Sequence, residues 1–89
     1  MTHVRFSTRF KKDFKLAEKR GKDTAKLLWI VERIARRDTL EPRYRLHRLK
    51  GEYEGFFECH VEPDWLLIWD DLGDEILLAR CGTHSDLFG

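Results

Sequence analysis

The feature that most constrains the fold is a run of three apolar segments between residues 56 and 81, separated only by short joins. The segments are FFECHV (56–61), WLLIWD (65–70) and EILLARC (75–81). The first alternates apolar and polar residues, as a strand with one buried face does, and the second is apolar enough for a central strand. The joins VEPD and DDLGD read as tight reversals, with Gly73 free to adopt a positive φ. These residues predict a three-stranded antiparallel meander.

The first half of the chain has helical periodicity after a short strand, HVRF (3–6). Ser7 is a good N-cap for a first helix that ends near Gly21, and Asp23 or Thr24 can cap a second helix that Pro42 cannot continue. The predicted buried stripes are Phe10, Phe14 and Ala17 on the first helix, and Leu27, Ile30, Val31 and Ile34, widened by Leu28 and Ala35, on the second. A further short strand is predicted around residues 49–53.

The element order β-α-α-β-β-β predicts one α+β domain over residues 1–89, with a two-helix hairpin packed on one face of a mainly antiparallel sheet. The opposite face should be exposed to water and should carry any functional site. The sequence has 42% apolar and 37% charged residues and no apolar run long enough for a membrane span or a signal peptide. We therefore expect a cytoplasmic protein without a membrane partner, in which Cys59 and Cys81 are reduced and buried.

Charge is divided unevenly along the chain. Sixteen of the 17 Lys and Arg residues, but only six of the 16 Asp and Glu residues, lie within residues 1–50. This asymmetry fits either solvated helix faces or a surface that binds nucleic acid or an acidic peptide. Two groups are candidate substrate-binding residues: Lys11, Lys12 and Lys15 on the first helix, and Arg45, Arg48 and Lys50 in the basic segment 43–55.

Polar residues gather at one end of the predicted meander. His60 and Asp64 flank the reversal at VEPD, and His84 follows the last strand. Because the hairpin 65–81 turns near residues 71–74, Trp65 and the exit of the last strand lie at the same end as that reversal. His47 would join this group if the basic segment folds over the sheet edge, whereas His3 is expected in solvent.

Two chemistries use such a group. Histidine and aspartate can bind zinc, but the closely spaced ligand pairs of structural zinc sites are absent, so we expect neither a metal nor a cofactor. Histidine also serves as a general acid or base near neutral pH, and a phosphodiester is the natural substrate beside a basic segment. In RNA the 2′-OH can attack its own 3′-phosphate, and Trp65 and Phe88 are candidates for stacking on a base.

Two segments carry a family resemblance: RLKGEYEGFFECHVEPDWLLIW, and GTHSDLFG at the end of the sequence. Together with the element order, they resemble the YafQ branch of the RelE/ParE superfamily of bacterial type II toxins. The resemblance implies a RelE-like fold over residues 1–89 and an mRNA interferase that cleaves messages on the translating 70S ribosome and is neutralised by a cognate antitoxin. The family's active-site residues correspond to His47, His60, Asp64, Trp65, His84 and Phe88.

For a metal-free reaction we expect His84 to act as the general acid toward the 5′-oxygen. His47 or Asp64 is the candidate base at the 2′-OH, and His60 would place charge at the phosphate with Asp64 as a candidate orienting partner. Two other functions stay open: a non-catalytic, ParE-like inhibitor of a protein target such as DNA gyrase, and a passive RNA-binding module.

Overall fold

A computed structural model describes all residues from 1 to 89. The elements are β1 (His3–Phe6), α1 (Thr8–Lys19), α2 (Thr24–Ala35), β2 (His47–Arg48), β3 (Phe57–Glu62), β4 (Trp65–Asp71), β5 (Glu75–Gly82) and α3 (His84–Phe88), with short 3₁₀ turns at Pro42–Tyr44 and Gly51–Tyr53. The sheet order is β1-β5-β4-β3-β2. β1 runs parallel to β5 and the other pairs are antiparallel, which confirms the predicted α+β class.

Both long helices begin where the sequence predicts. The Ser7 hydroxyl accepts a hydrogen bond from the Phe10 amide, and the Asp23 carboxylate accepts one from the Lys26 amide. The predicted stripe of α2 is buried, but Leu28 is 45% exposed, so its assignment to the core was wrong. The α2 helix ends at Ala35, well before the proline, because Arg37 adopts a left-handed φ of 64°.

The helix-facing side of the sheet forms the main hydrophobic core. It includes Trp65, Leu67 and Leu78 from the strands, packed against Leu27 and Ile30 of α2. The opposite side was predicted to be exposed, and this is wrong for its centre. There a second, smaller core forms from Leu66, Ile68 and Leu87, covered by Leu49, Tyr53, Phe56 and Ala79. The unpredicted helix α3 and the segment 49–56 provide this cover, so only part of that face is open to water.

The predicted strand at 49–53 was also misplaced. The short strand is β2 at His47–Arg48, and residues 51–53 form a 3₁₀ turn. β2 pairs only with Phe57 and Glu58 of β3. The remainder of β3 therefore has a strand neighbour on one side only, and its other edge is open beside the 42–44 turn.

The first helix is fixed to the last strand by polar contacts. The Ser7 hydroxyl donates to the Ala79 carbonyl at 2.8 Å. Asp13 accepts from the Arg80 guanidinium at 2.7 Å and from the Cys81 amide at 3.1 Å. Both cysteines are free and buried, and burial raises the pKa of Cys59 and of Cys81 to about 12. None of the helices has the length and apolar character needed to cross a membrane.

Candidate active site

Three histidines from three separate segments form a row at one end of the sheet. The ring centroids of His47 and His60 are 6.3 Å apart, and those of His60 and His84 are 5.7 Å apart. His47 comes from β2, His60 from the open end of β3, and His84 from the first position of α3. The predicted convergence is therefore present, including the folding of His47 over the sheet edge.

Asp64 holds His84 through two hydrogen bonds. Its Oδ1 atom accepts from the His84 backbone amide at 2.9 Å and from ring Nδ1 at 2.6 Å. These two bonds lower the pKa of Asp64, the backbone bond most strongly. Because Nδ1 carries the proton in this contact, Nε2 is the nitrogen free to exchange a proton with a substrate. Asp64 thus orients His84 and not His60, which corrects the pairing expected from sequence.

Glu58 is the member of the site that sequence reasoning missed. Its side chain is almost fully buried, and Oε1 lies 3.2 Å from His47 Nε2 and 3.7 Å from His60 Nε2. The second oxygen, Oε2, is buried without a hydrogen-bond partner. The alternation of β3 places Glu58 on the same face as His60, and this pattern could have identified Glu58 as a member of the site. It was not used because that face was expected to be exposed to water.

His47 is held between two acceptors. Its Nδ1 atom lies 2.7 Å from the Arg45 carbonyl oxygen, and its Nε2 atom faces the Glu58 carboxylate. A carbonyl oxygen can only accept, so Nδ1 donates to it. Both ring nitrogens of His47 therefore face acceptors within the protein, which makes His47 a poor candidate for removing a proton from a substrate.

A capping box positions α3 and therefore His84. The Thr83 side chain accepts from the Asp86 amide, and the Asp86 side chain accepts from the Thr83 amide. Asp86 also receives two hydrogen bonds from the Arg20 guanidinium, at 2.6 and 3.2 Å, and this partner keeps the pKa of Asp86 far below its usual range. Gly82 makes the approach possible, since a Cβ atom there would lie 2.9 Å from the Cβ of Asp86.

The two aromatic candidates differ in position. Phe88 is 52% exposed, with its ring edge-on to Tyr53 at 6.0 Å, and presents a face on which a base can stack. Trp65 is 1% exposed and belongs to the main core, where the Lys22 ammonium lies 5.8 Å from its ring centroid. The expectation that Trp65 stacks on RNA conflicts with this burial, because the indole offers no free face. It supports the site from beneath.

The basic candidates lie in separate places. Arg45 lies beside the histidines, since its carbonyl oxygen accepts from His47 Nδ1. The Arg48 guanidinium packs 4.8 Å from the centroid of Phe57, a ring of the helix-facing core, so the structure places it on the other face of the sheet from the histidines, and Lys50 follows β2 as an exposed residue. Lys11, Lys12 and Lys15 are exposed on α1, which packs against β5 at the other side of the sheet. Lys11 and Lys15 border an apolar groove with Phe6, Phe10, Phe14 and Leu28. The structure does not bring them into the histidine group.

The donor set suits proton transfer. No group of three or more His, Cys, Asp or Glu side chains has the arrangement needed to hold a metal ion. The site instead offers one oriented imidazole with a free Nε2 (His84), one imidazole without a hydrogen bond from the protein (His60), and a third imidazole (His47) that faces the buried side chain of Glu58. Such a set can protonate a leaving group, deprotonate a hydroxyl and stabilise an anion.

Comparisons with known proteins agree with the geometry. A family model described as "Bacterial toxin of type II toxin-antitoxin system, YafQ" matches residues 2–89. The mRNA interferase toxin YafQ of Escherichia coli strain K12 is 41% identical over 88 residues, covering 97% of this chain and 95% of that protein. The crystal structure of YafQ from E. coli BL21(DE3) has a TM-score of 0.94 at 36% identity, over the full length of both chains.

A third similarity is to a complex. YafQ in the crystal structure of the E. coli DinJ–YafQ toxin–antitoxin complex has a TM-score of 0.91 at 37% identity, covering 99% of this chain and 98% of that one. The family model, the curated relative and the solved structures all span nearly the whole sequence and point to one family. This chain therefore belongs to the YafQ family of bacterial toxins of type II toxin–antitoxin systems.

Proposed function

We propose that this protein is an mRNA endoribonuclease that cleaves messages on the translating ribosome by metal-free general acid–base catalysis. The observation that carries the proposal is the orientation of His84, whose Nδ1 is held by Asp64 at 2.6 Å while Nε2 is left free beside His60. In this reaction the ribose 2′-OH attacks the adjacent phosphate, the P–O5′ bond breaks, and the products are a 2′,3′-cyclic phosphate and a free 5′-OH.

His84 acts as the general acid. When its ring is protonated, Nε2–H donates a proton to the departing 5′-oxygen, and the Asp64 carboxylate stabilises the positive ring and fixes its direction. The lowered pKa of Asp64 keeps it ionised for that task and makes it a weak base. This argues against the alternative in which Asp64 removes the 2′-OH proton.

His60 is the best-placed base. It stands between the other two imidazoles and makes no hydrogen bond within the protein, whereas both nitrogens of His47 face acceptors. The carboxylate of Glu58, 3.7 Å from His60 Nε2, can stabilise the imidazolium that forms when His60 takes the proton. Contacts of this length in a free enzyme commonly tighten when substrate binds.

When its ring is protonated, His47 places positive charge at the scissile phosphate. Fixed cations at the position where negative charge develops stabilise the phosphorane without reorganisation during the reaction. Phe88 stacks on a neighbouring base and holds the bond to be broken in line. The substrate is single-stranded message, since the bases must be unstacked for such a contact.

The partners follow from the family. The E. coli relative is described as an mRNA interferase and has been crystallised with the antitoxin DinJ. We infer that this protein is likewise neutralised by a cognate antitoxin and acts on messages held by the 70S ribosome in the cytoplasm. Lys11, Lys12 and Lys15, which are exposed on α1 and distant from the histidines, provide a surface for ribosomal RNA, whose phosphates dominate such contacts.

A reconstituted translation reaction tests the proposal. The wild-type protein and the His84→Ala variant are added to ribosomes translating a defined synthetic message, and the fragments are mapped and their ends analysed. We expect wild-type fragments with a 2′,3′-cyclic or 3′-phosphate and a 5′-OH, and a rate about 10²–10⁴-fold lower for the variant. Cleavage that leaves a 5′-phosphate would contradict the mechanism.

Two controls separate the other functions. DNA supercoiling by gyrase in the presence of the toxin should be unaffected, and its loss with intact messages would identify a protein-target inhibitor. Equal ribosome binding by wild-type and variant protein, without cleavage by either, would identify a passive RNA-binding module. Ribosome dependence is measured in parallel on the same message without ribosomes.

A further inference from the structure

A cavity of about 510 Å³ lies beside the histidine row and is not used by the chemistry proposed above. It is bounded by the first turn of α2, the 42–44 turn and the open edge of β3. Its charged lining consists of Lys26, Arg43, Arg45 and Glu62, and His60 forms part of its wall. Because His60 also stands between the other two histidines of the row, the cavity and the candidate active site share one residue.

The cations of this cavity are largely free of carboxylate partners. Elsewhere in the molecule arginines are paired closely, as in the Arg80–Asp13 contact at 2.7 Å. Here Lys26 and Arg45 form no salt bridge, and Arg43 approaches its nearest carboxylate only at 4.0 Å. The single acid of the cavity, Glu62, is engaged by Lys22 outside it, at 3.4 Å. The cavity therefore has unneutralised positive charge that attracts an anion.

The cavity exists because β2 is so short. Its two residues cover only the start of β3, so the edge formed by His60, Val61 and Glu62 has no strand beside it. The left-handed backbone of Arg45, at φ 49°, turns the chain from the 42–44 turn into β2. One loop thus directs the Arg45 side chain to the cavity and its carbonyl oxygen to His47. Cavity and active site are built by the same turn.

We propose that this cavity is a second phosphate subsite, which holds the phosphodiester directly next to the scissile one on the RNA strand. The proposal rests on the proposed nuclease function. An RNA strand whose scissile phosphate lies at the histidines has to continue away from them. If it leaves along the cavity that His60 borders, it meets Lys26, Arg43 and Arg45. The volume lies within the usual range of ligand pockets, about 300–1,000 Å³. Holding the neighbouring phosphate fixes the strand for in-line attack.

An acidic peptide strand is the competing occupant, since an open strand edge can also pair with an extended chain. RNA is favoured because His60 belongs both to the cavity and to the histidine row. A message that is bound at the histidines for cleavage therefore brings a phosphate to the cavity even when no other protein is present. The two occupants differ in what the cavity's cations control, namely the binding of RNA or the neutralisation by an antitoxin.

The first experiment measures RNA binding without chemistry. A 2′-O-methyl RNA hexamer, which lacks the attacking hydroxyl, is titrated against the wild-type protein and the Lys26→Ala and Arg43→Gln variants at several salt concentrations. Each lost phosphate contact should reduce the slope of log K against log salt by about 0.7. Lys19→Ala, which removes an exposed lysine that lines no cavity, is the matched control and should leave the slope unchanged. Melting temperatures verify that the variants are folded.

An unchanged slope in both cavity variants, or a hexamer that the wild-type protein does not bind, overturns the subsite. This result is independent of the nuclease mechanism, because the hexamer cannot be cleaved. If the cavity variants keep the slope of the wild type but are neutralised less well by the antitoxin, the acidic peptide is the occupant and the proposal is wrong.

The second experiment couples the cavity to one phosphate. Synthetic messages carry an uncharged methylphosphonate at either linkage flanking the scissile bond, and cleavage on the ribosome is compared for wild type and Lys26→Ala. On the normal message the variant should cleave about tenfold more slowly. At one of the two linkages, the methylphosphonate should slow cleavage by the wild-type protein by the same factor, and it should not slow cleavage by the variant any further. If the methylphosphonate slows cleavage by the variant as much as cleavage by the wild type at both linkages, the cavity does not contact a neighbouring phosphate.

Discussion

Replacing Glu58 with glutamine separates the contribution of this residue to folding from its contribution to catalysis. The carboxylate is 4% exposed, contacts two imidazoles through Oε1 and leaves Oε2 buried without a partner. Glu58→Gln keeps the shape of the side chain and the acceptor at Oε1 but removes the negative charge. Because a buried charge is expensive unless fully paired, the natural residue is a costly choice for stability.

The expected magnitude follows from the contacts. Burying one carboxylate costs several kcal/mol, and the two imidazoles offset only part of this, since His60 is 3.7 Å away and Oε2 is unpaired. Glutamine loses the charge-assisted part of the His47 contact, about 1 kcal/mol, but avoids the larger cost of the buried charge. We therefore expect the free energy of unfolding to rise by about 1–2 kcal/mol, which raises the melting temperature of a domain of this size by about 4–8 °C per kcal/mol.

Cleavage should change in the opposite direction. Without the carboxylate, the imidazolium that forms when His60 takes the proton is no longer stabilised, and the cleavage rate should fall by about 10²-fold or more. Thermal unfolding and the ribosome assay on the same preparations measure both effects, with Glu54→Gln, an exposed glutamate without a salt bridge, as the control that changes neither. A variant that melts several degrees below wild type while cleaving normally would refute the reasoning, because Glu58 would then be a structural element.

Three further expectations concern the exposed residues of α3, the two buried cysteines and the carboxylate of Asp86. His84→Ala should lower the cleavage rate by about 10²–10⁴-fold, and Phe88→Ala should lower it by less. Both variants should melt near the wild-type temperature, because both side chains are about half exposed. Unfolding of either variant would mean that these side chains hold α3 in place. Cys59 and Cys81 should resist a thiol reagent at pH 8 in the native protein and react after denaturation, since burial keeps both as thiols; rapid native labelling would contradict their burial. Because the pKa of Asp86 is lowered in the folded state, its ionised carboxylate stabilises the fold above the ordinary aspartate pKa, and this contribution is lost progressively as the pH falls below it. The melting temperature should therefore drop below about pH 4, and it should drop less steeply in Asp86→Asn. The same dependence of melting temperature on pH in both proteins would show that Asp86 does not contribute.

Regular elements were predictable because their signals are periodic. The three meander strands lie at 57–62, 65–71 and 75–82, each within one residue of the segments read from alternation and turn chemistry. The grouping of His60, Asp64 and His84 followed from connectivity alone, since strand ends at one edge of a meander have to meet, whereas His47 could be added only on the condition that the basic segment folds over that edge. These predictions needed only local patterns and the rule that short joins reverse the chain.

What could not be predicted depends on contacts between distant segments. Helix α3 is five residues long, too short for a periodic pattern, and Asp86 of its capping box is held by Arg20 from the other half of the chain. The burial of Glu58 results from β2 and the segment 49–56 covering a face that alternation marks as polar. Trp65 was assigned to the substrate as an aromatic residue beside the histidines, an assignment that the family resemblance repeated, although its strand position gives equal reason to place it in the core.

The parallel pairing of β1 with β5 affects how the molecule can fold during synthesis. The contact from the Ser7 hydroxyl to the Ala79 carbonyl joins residues 72 positions apart. A topology dominated by such pairings has a high contact order and folds slowly, because the chain loses loop entropy before the contacts form. The edge that anchors α1 cannot close on a growing chain until β5 has left the ribosome, and His84 emerges later still. The two long helices can therefore form early in synthesis, whereas the sheet edge and the histidine row form only after the last strand and α3 have been made.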